Sequence, residues 1–410
     1  MRSAYLVPCL AVVTLFAAAC AEPESPPLSE SGKAALDAVL RAAIDAGDVP
    51  GVVAMVVDRD SILYQGAFGI MDAAGEESMR SDAIFRIASM TKPITSVGIM
   101  MMREEGLLAL DDPASDYLPE LEDREVLVSV DTATSSVVTR PASRPITIRD
   151  LLRHTSGIAY GFSSHEAQAL SRYAGIAPRA QPILHDPGSR WTYGMGTAFL
   201  GWIIEEISGQ SLSEYLGSRV LAPLGMNDTG FDLAEGDHAR LVATYRRVDG
   251  VLEGRPNGAV YTPTIRGDGG LLSTADDYSR FLQLMLGRGE RGGVRLLNEE
   301  SVAETVRDQL EGIVVVEQPS ASPNTAMAFP LGAGRDGFGL GFQVDAGDGI
   351  EGRSHGSLSW AGIANTHFWI DLENELGGVL LLQLYPFYDD EAIDLLTTFE
   401  RTLYRERGRS

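Results

Sequence analysis

Ser89 and Lys92 stand three residues apart at the start of an apolar segment, in the pattern Ser-x-x-Lys. If this segment is helical, both side chains lie on one face with Cβ atoms about 5–6 Å apart, so the amine can reach the hydroxyl. The free N–H groups of a helix N-terminus favour a serine alkoxide, and Pro93 is tolerated in the first turn. The pair therefore predicts a nucleophilic serine with a neighbouring base.

A rival nucleophile is Ser354, in the segment 352–356 with the pattern Gly-x-Ser-x-Gly. That pattern is catalytic when a strand precedes it, a helix follows it, and an aspartate and a histidine arrive later in the chain. Here the segment 358–370 is predicted to be extended, and the only later histidine, His367, lies inside it. We therefore prefer Ser89.

Apolar spacing predicts strands and a helix at each end of the chain. The predicted elements are a helix over 31–46, a hairpin over 51–58 and 62–70, strands over 363–370 and 379–384, and a helix over 391–405. The middle of the chain is predicted to be mainly helical. Its predicted elements are helices over 95–105, 148–154, 197–208, 211–220 and 274–286, and a small hairpin over 126–145.

Strands from both ends can share a sheet only if the helical middle is an insertion. The predicted fold class is α+β, an antiparallel sheet flanked by N- and C-terminal helices with an inserted, mainly helical subdomain. The predicted division gives residues 33–80 and 275–410 to the α/β subdomain and 81–274 to the helical one. A ligand cleft is expected between the two parts.

Composition excludes several classes of protein. The 410 residues are 44% apolar and 22% charged, which indicates a globular fold. The formal charge of −24 disfavours nucleic acid as a partner. The six histidines show no metal-binding spacing, and no phosphate-binding glycine loop occurs, so no cofactor is expected.

Both cysteines, Cys9 and Cys20, lie at the N-terminal end, so a catalytic thiol and a disulfide framework are excluded from the body of the fold. Residues 1–19 have the charged start, apolar centre and small-residue end of a signal peptide. The segment 17–20, Ala-Ala-Ala-Cys, is similar to a bacterial lipobox, although Ala17 replaces the usual leucine. Residues 20–32 are then the lipid anchor and a polar linker. The expected location is the periplasmic side of a bacterial membrane, with plain secretion as the alternative.

Three segments together resemble the serine hydrolases of the class C β-lactamase and penicillin-binding-protein type, closest to the family VIII carboxylesterases. They are 85–94 (FRIASMTKPI), 147–157 (TIRDLLRHTSG) and 269–276 (GGLLSTAD). The resemblance runs from about residue 48 to 385. It implies a β-lactamase/transpeptidase-like fold and an acyl-enzyme on Ser89.

The second and third motifs of that family have counterparts here with departures. Tyr193 matches the tyrosine of Tyr-x-Asn, but Met195 stands in the asparagine position, and a thioether cannot donate a hydrogen bond. The segment 360–362, Trp-Ala-Gly, resembles the esterase version of the third motif, with Trp360 and Gly362 lining the substrate site. His355 belongs to a rival alignment of that motif and is kept as a possible cleft residue.

The resemblance also implies roles. Lys92 and Tyr193 would share the work of activating Ser89, and the sequence leaves open which is the base. Both have ordinary pKa values near 10, so either needs a depression of about three units. The backbone N–H groups of Ser89 and Ile363 would form the oxyanion hole.

Three functions are therefore compatible with the sequence. The first is a carboxylesterase for small or medium acyl esters, which the Met195 and Trp360 departures favour. The second is a β-lactamase or D,D-peptidase with the same nucleophile. The third is a catalytically silent lipoprotein that binds a ligand in the cleft.

The lipobox-like segment predicts that Cys20→Ser converts a membrane-associated lipoprotein into an unanchored or unprocessed form, because acylation needs the thiol. Detergent-phase partitioning of the expressed full chain measures this. Cys9→Ser, inside the predicted signal peptide, is the matched control and should partition as the wild type does. Unchanged partitioning of the Cys20 variant would remove the lipid anchor.

Overall fold

The computed structural model describes residues 28–258, 263–347 and 352–408, so the predicted signal peptide and Cys20 lie outside it. The α-helices within these ranges are α1 (Glu30–Ala46), α2 (Thr91–Glu104), α3 (Ile148–Leu152), α4 (His165–Arg172), α5 (Gly196–Ser208), α6 (Leu212–Leu216), α7 (Ala222–Leu224), α8 (Ala275–Leu286), α9 (Glu299–Val306) and α10 (Asp390–Arg407). No helix in the described ranges is long and apolar enough to cross a membrane.

The strands within these ranges are mostly short. They are β1 (Gly51–Val57), β2 (Ile62–Gly69), β3 (Phe85–Arg86), β4 (Glu125–Asp131), β5 (Ser136–Pro141), β6 (Thr244–Val248), β7 (Val251–Arg255), β8 (Leu272–Ser273), β9 (Glu290–Arg291), β10 (Val294–Arg295), β11 (Gly337–Phe338), β12 (Gln343–Val344), β13 (Leu358–Gly362), β14 (Thr366–Asp371), β15 (Leu376–Leu381) and β16 (Leu384–Tyr385).

Seven strands from the two ends of the chain form one antiparallel sheet. Its order is β11-β12-β13-β14-β15-β1-β2, so the N-terminal hairpin joins the C-terminal meander through the β1–β15 pair. The predicted α+β class and the shared sheet are confirmed. The subdomain limits near residues 81 and 274 stay predictions.

Both faces of the sheet are covered, which explains why β1 is buried at every position. Val53, Met55 and Val57 face the larger apolar cluster, which includes α8 and the helical middle of the chain. Val52 and Val56 face the other cluster, in which α1 and α10 pack together. The sheet is therefore the middle layer. The C-terminal end of β13, at Gly362, lies against the segment that leads to Ser89.

Two predicted strands are shifted from their observed positions. The predicted strand 363–370 begins three residues later, because Asn365 has a φ of 56° and belongs to the turn between β13 and β14. The predicted strand 379–384 begins earlier, at Leu376. Its first residues therefore include Gly377 and Gly378, a residue type that strands disfavour. Gly378 is needed inside the strand, since a Cβ there would stand 2.2 Å from the Trp369 ring.

Two predicted helices also differ. Helix α2 begins at Thr91 rather than residue 95, because Pro93 falls where a helix leaves N–H groups unpaired. The predicted helix 211–220 is α-helical only over 212–216 and continues as a π-helical turn over 217–221. The remaining predicted helices and the hairpin over 126–145 are found with small changes of bounds.

A buried ion pair ties α10 to the loop before β13. The Arg353 guanidinium donates two hydrogen bonds to the Glu400 carboxylate, at 2.6 and 2.7 Å. The Arg353 side chain is 7% exposed and that of Glu400 is fully buried. Because the remaining charge has no access to water, loss of one partner costs far more than loss of a surface pair.

We predict that Arg353→Met lowers the free energy of unfolding by about 3–5 kcal/mol, because it leaves the Glu400 carboxylate buried without a cation. The control is Arg80→Met, whose partner Asp82 shares a half-exposed pair, and the expected loss there is below about 1 kcal/mol. Urea unfolding followed by circular dichroism gives both numbers. Equal losses would contradict the importance assigned to the buried pair.

Candidate active site

Ser89 lies in a tight turn between β3 and α2. The turn is held to the neighbouring loop, since the Ile87 N–H donates to the Leu271 carbonyl at 3.1 Å. Ala88, directly before the serine, has a φ of 45°, which is uncommon for a residue with a side chain. Such backbone strain persists only where the surroundings fix it, and it concentrates at functional sites. The turn presents Ser89 at the entrance to the helix that carries Lys92.

The Lys92 side chain is buried, and its amine makes three polar contacts. Nζ lies 3.0 Å from the Ser89 Oγ, 3.2 Å from the Tyr160 hydroxyl oxygen and 2.7 Å from the backbone carbonyl oxygen of Asp268. Burial lowers the pKa of Lys92 to about 7, with the charge of Asp268 opposing the change. A large fraction of this lysine is therefore a neutral amine near neutral pH and can accept the Ser89 proton.

Tyr193 completes a group of three around the serine hydroxyl. Its phenol hydrogen-bonds with Ser89 and accepts a hydrogen bond from the Trp360 indole N–H at 3.4 Å. The Lys92 Nζ lies 4.9 Å from the centre of its ring. Burial raises the pKa of Tyr193 above its ordinary value, so the phenol keeps its proton at neutral pH. Of the two bases the sequence left open, the geometry favours Lys92.

The end of β13 packs directly on the nucleophile turn. A Cβ on Gly362 would stand 2.2 Å from the Ile87 carbonyl oxygen, so only glycine permits this approach. The Thr366 hydroxyl, paired with Gly362 across the hairpin, donates to the same carbonyl at 3.3 Å. The contact brings the residue after Gly362, Ile363, beside the turn that carries Ser89. Their two N–H groups thus lie on neighbouring segments, as an oxyanion hole needs.

The turn that carries Ile363 is fixed by Asn365. The Asn365 amide donates to the carbonyl oxygens of Leu384 and Pro386, at 2.9 and 2.7 Å. Its side-chain oxygen accepts the Tyr388 N–H at 2.9 Å. The turn cannot move without breaking these bonds, so the Ile363 backbone is held in place before a substrate arrives.

Aromatic rings surround the Tyr193 side chain. Their ring centres lie 4.9 Å (His154), 5.2 Å (Tyr160), 4.9 Å (Trp360) and 5.6 Å (Phe329) from the centre of the Tyr193 ring. Burial, with the nearby Lys92 charge, holds the pKa of His154 well below its usual range, so this imidazole is neutral. The surroundings of the phenol are mainly apolar.

Met195 and His355 have different positions. Met195 is buried in the apolar core directly before α5, where its thioether adds no hydrogen-bond donor. His355 is exposed in the turn before β13. No hydrogen bond, ion pair or ring contact joins His355 to Ser89, Lys92 or Tyr193 in the described structure, and its possible cleft role stays a prediction.

The rival nucleophile is also kept apart from Ser89. The Ser354 N–H donates to the Asp371 carboxylate at 3.0 Å, and its hydroxyl accepts from the Asn374 amide at 2.8 Å. A strand follows this serine rather than the helix that a nucleophile elbow requires. Among the described residues, no group of three or more His, Cys, Asp or Glu side chains could hold a metal ion.

Three residues near Lys92 escaped the sequence analysis. The Tyr160 hydroxyl donates a short hydrogen bond to the Asp268 carboxylate, which Arg266 pairs with through two bonds at 2.8 and 2.5 Å. The only signal available was position, because Tyr160 follows the 147–157 segment and Asp268 precedes the 269–276 segment. Their separation of 108 residues hides the contact from any local pattern.

The family of the chain follows from comparisons with known proteins. Residues 36–400 match the β-lactamase family. An uncharacterized Mycobacterium tuberculosis protein is 37% identical over 87% of this chain and 90% of its own length. The lovastatin esterase of Penicillium rubens is 31% identical over 90% of this chain and 98% of its own length. The solved structure of a simvastatin synthase mutant from Aspergillus terreus superposes with a TM-score of 0.80 at 27% identity, covering 93% of this chain and 99% of that one.

The chain belongs to the β-lactamase family and has its fold. Within that family it is a serine hydrolase related to esterases and acyltransferases. The predicted family and enzyme class are confirmed.

We predict that Ser89→Ala lowers kcat/KM for p-nitrophenyl butyrate by at least about 10⁴-fold, because in the described structure Ser89 is the only serine whose hydroxyl hydrogen-bonds with Lys92 and Tyr193. Circular dichroism should show an unchanged fold. Ser354→Ala, the matched control, should keep wild-type turnover. If Ser354→Ala were the inactive variant, the nucleophile would be Ser354.

Proposed function

We propose that the protein is a carboxylesterase that cleaves esters with small or medium acyl groups through an acyl-enzyme on Ser89. The observation that carries the proposal is the contact of Trp360 with Tyr193, because an aromatic ring lies there instead of the cation that would attract a substrate carboxylate. At the asparagine position of the second motif, the Met195 thioether supplies no hydrogen-bond donor for a substrate amide. Both changes suit a neutral ester.

In the proposed mechanism Lys92, as the neutral amine, takes the Ser89 proton while Oγ attacks the ester carbonyl carbon. The carbonyl oxygen becomes an oxyanion that accepts hydrogen bonds from the N–H groups of Ser89 and Ile363. The C–O bond to the alcohol then breaks, and the Lys92 proton passes to the leaving oxygen directly or through the Tyr193 hydroxyl. Water repeats the sequence on the acyl-enzyme and releases the acid.

Trp360 and Phe329, which both contact the Tyr193 ring, also line a cavity of about 230 Å³. Its other lining residues include Asp336, Arg353 and Arg401, and neither Ser89, Lys92 nor Tyr193 is among them. This cavity therefore does not define the acyl site, and the proposed size of the acyl group rests on the resemblance to the family VIII carboxylesterases.

An acyl acceptor other than water is the second candidate. The name of the Penicillium rubens relative describes an esterase, whereas that of an Aspergillus terreus relative, 30% identical over 90% of this chain, describes a methylbutanoyltransferase. The same acyl-enzyme serves both reactions, since only the attacking hydroxyl differs. We therefore propose that alcohols compete with water for the acyl group. The proposed setting is the periplasmic side of a membrane, through the predicted anchor at Cys20.

We predict that kcat/KM for p-nitrophenyl butyrate exceeds that for benzylpenicillin by about 10²–10⁴-fold. Each contact that the substrate carboxylate or amide lacks costs about 1–3 kcal/mol, and a plain ester carries neither group. Side-by-side kinetics with nitrocefin and a D-Ala-D-Ala peptide extend the comparison. Equal efficiency on benzylpenicillin would contradict the esterase proposal and favour a β-lactamase. Failure of a fluorophosphonate to label Ser89 would favour a catalytically silent binding protein.

A further inference from the structure

Arg266 and Asp268 form an ion pair beside Lys92 that the mechanism above does not use. The guanidinium binds both carboxylate oxygens, with Nε to Oδ1 at 2.8 Å and Nη2 to Oδ2 at 2.5 Å. The Asp268 side chain is 3% exposed and that of Arg266 is 38% exposed. A carboxylate so deeply buried, close to a lysine, would ordinarily be expected to pair with that lysine.

The described contacts instead place the Tyr160 hydroxyl between the Asp268 carboxylate and the Lys92 amine. Lys92 reaches Asp268 only through the backbone carbonyl oxygen in the described contacts, at 2.7 Å. The carboxylate faces Tyr160, whose hydroxyl donates to it and at the same time accepts from Lys92 at 3.2 Å. The negative charge is therefore two hydrogen bonds from Nζ, close enough to influence it, with Arg266 on its other side.

We propose that Arg266 is a positioning residue for catalysis: by pairing with Asp268 it stops that carboxylate from holding Lys92 in the protonated form, which cannot accept the Ser89 proton. Asp268 in turn orients Tyr160, and Tyr160 orients the amine toward Ser89. The proposal rests on the proposed role of Lys92 as the base and adds a control of its charge.

The other groups around the amine leave this ion pair as its main electrostatic influence. The Ser89 hydroxyl is neutral, burial and the Asp268 charge raise the pKa of Tyr160 well above its usual range, and burial keeps the Tyr193 phenol and the His154 imidazole neutral. Burial lowers the pKa of Lys92 to about 7, Asp268 raises it and Arg266 lowers it further. The two charges act in opposite directions, and Arg266 offsets Asp268.

The test is the acid limb of the pH profile for acylation of Ser89 in the full chain, since kcat/KM reports the free enzyme's base. Wild-type protein should lose activity below about pH 7. Arg266→Gln leaves the carboxylate uncompensated, so the pKa of Lys92 rises and the limb moves up by about one unit or more. Activity at pH 7 then falls by about fivefold or more and returns at higher pH.

Matched variants separate this effect from a structural one. Asp268→Asn removes the negative charge and leaves the positive charge of Arg266, which lowers the pKa of Lys92, so the acid limb should move to lower pH. The double variant Arg266→Gln/Asp268→Asn should return the limb toward the wild-type position, and Arg266→Lys, which keeps the charge, should leave it nearly unmoved. A purely structural role would lower the plateau for every variant and shift none of the limbs, and that result would overturn the proposal.

Labelling of Ser89 by a fluorophosphonate separates the role of Arg266 from the choice of ester substrate. The rate of Ser89 labelling by a fluorophosphonate is measured against pH beside p-nitrophenyl butyrate turnover. Poor turnover with shifted labelling limbs would reject the ester proposal and retain the role of Arg266. Good turnover with unmoved limbs would retain the ester proposal and reject the role of Arg266.

Discussion

The burial of one amine is the constraint on which the site depends. A lysine in water is protonated at neutral pH and cannot act as a base, and removal from water is the largest influence that changes this for Lys92. The same burial obliges the amine to find partners for its hydrogen-bonding groups: as the neutral base it donates its two protons to the Tyr160 oxygen and the Asp268 carbonyl, and its lone pair faces the Ser89 hydroxyl. The loops that provide these atoms are thus held together by the need to satisfy one buried group.

A second constraint joins the sheet to the nucleophile. Because Gly362 abuts the Ile87 carbonyl, the end of β13 and the turn before α2 move as one body. The buried ion pair of Arg353 and Glu400 fixes the other end of β13 to α10. The backbone N–H groups proposed as oxyanion donors are consequently held in place before substrate binds, which would remove reorganisation from the cost of reaching the transition state.

The sequence predicted what is local in the chain. Ser89 and Lys92 share one helical turn, so their contact followed from spacing alone, and the buried hairpin β1–β2 followed from its apolar runs. Contacts between distant segments were less accessible. The Tyr160–Asp268 bond depends on how two loops fold over α2, and the place of Gly378 inside β15 depends on the Trp369 ring of the neighbouring strand, which no local pattern shows.

The Asn365 turn has a consequence for how substrates are distinguished. Its side-chain amide is hydrogen-bonded to the Pro386 carbonyl and the Tyr388 N–H, while Phe387 and Tyr388 pack on Phe329, whose ring contacts that of Tyr193. The backbone of the proposed oxyanion donor Ile363 and the aromatic surroundings of the phenol therefore depend on one segment of the chain. A substrate that displaces Phe329 would also disturb a donor needed only in the transition state, so selectivity among esters is expected in turnover rather than in ground-state affinity.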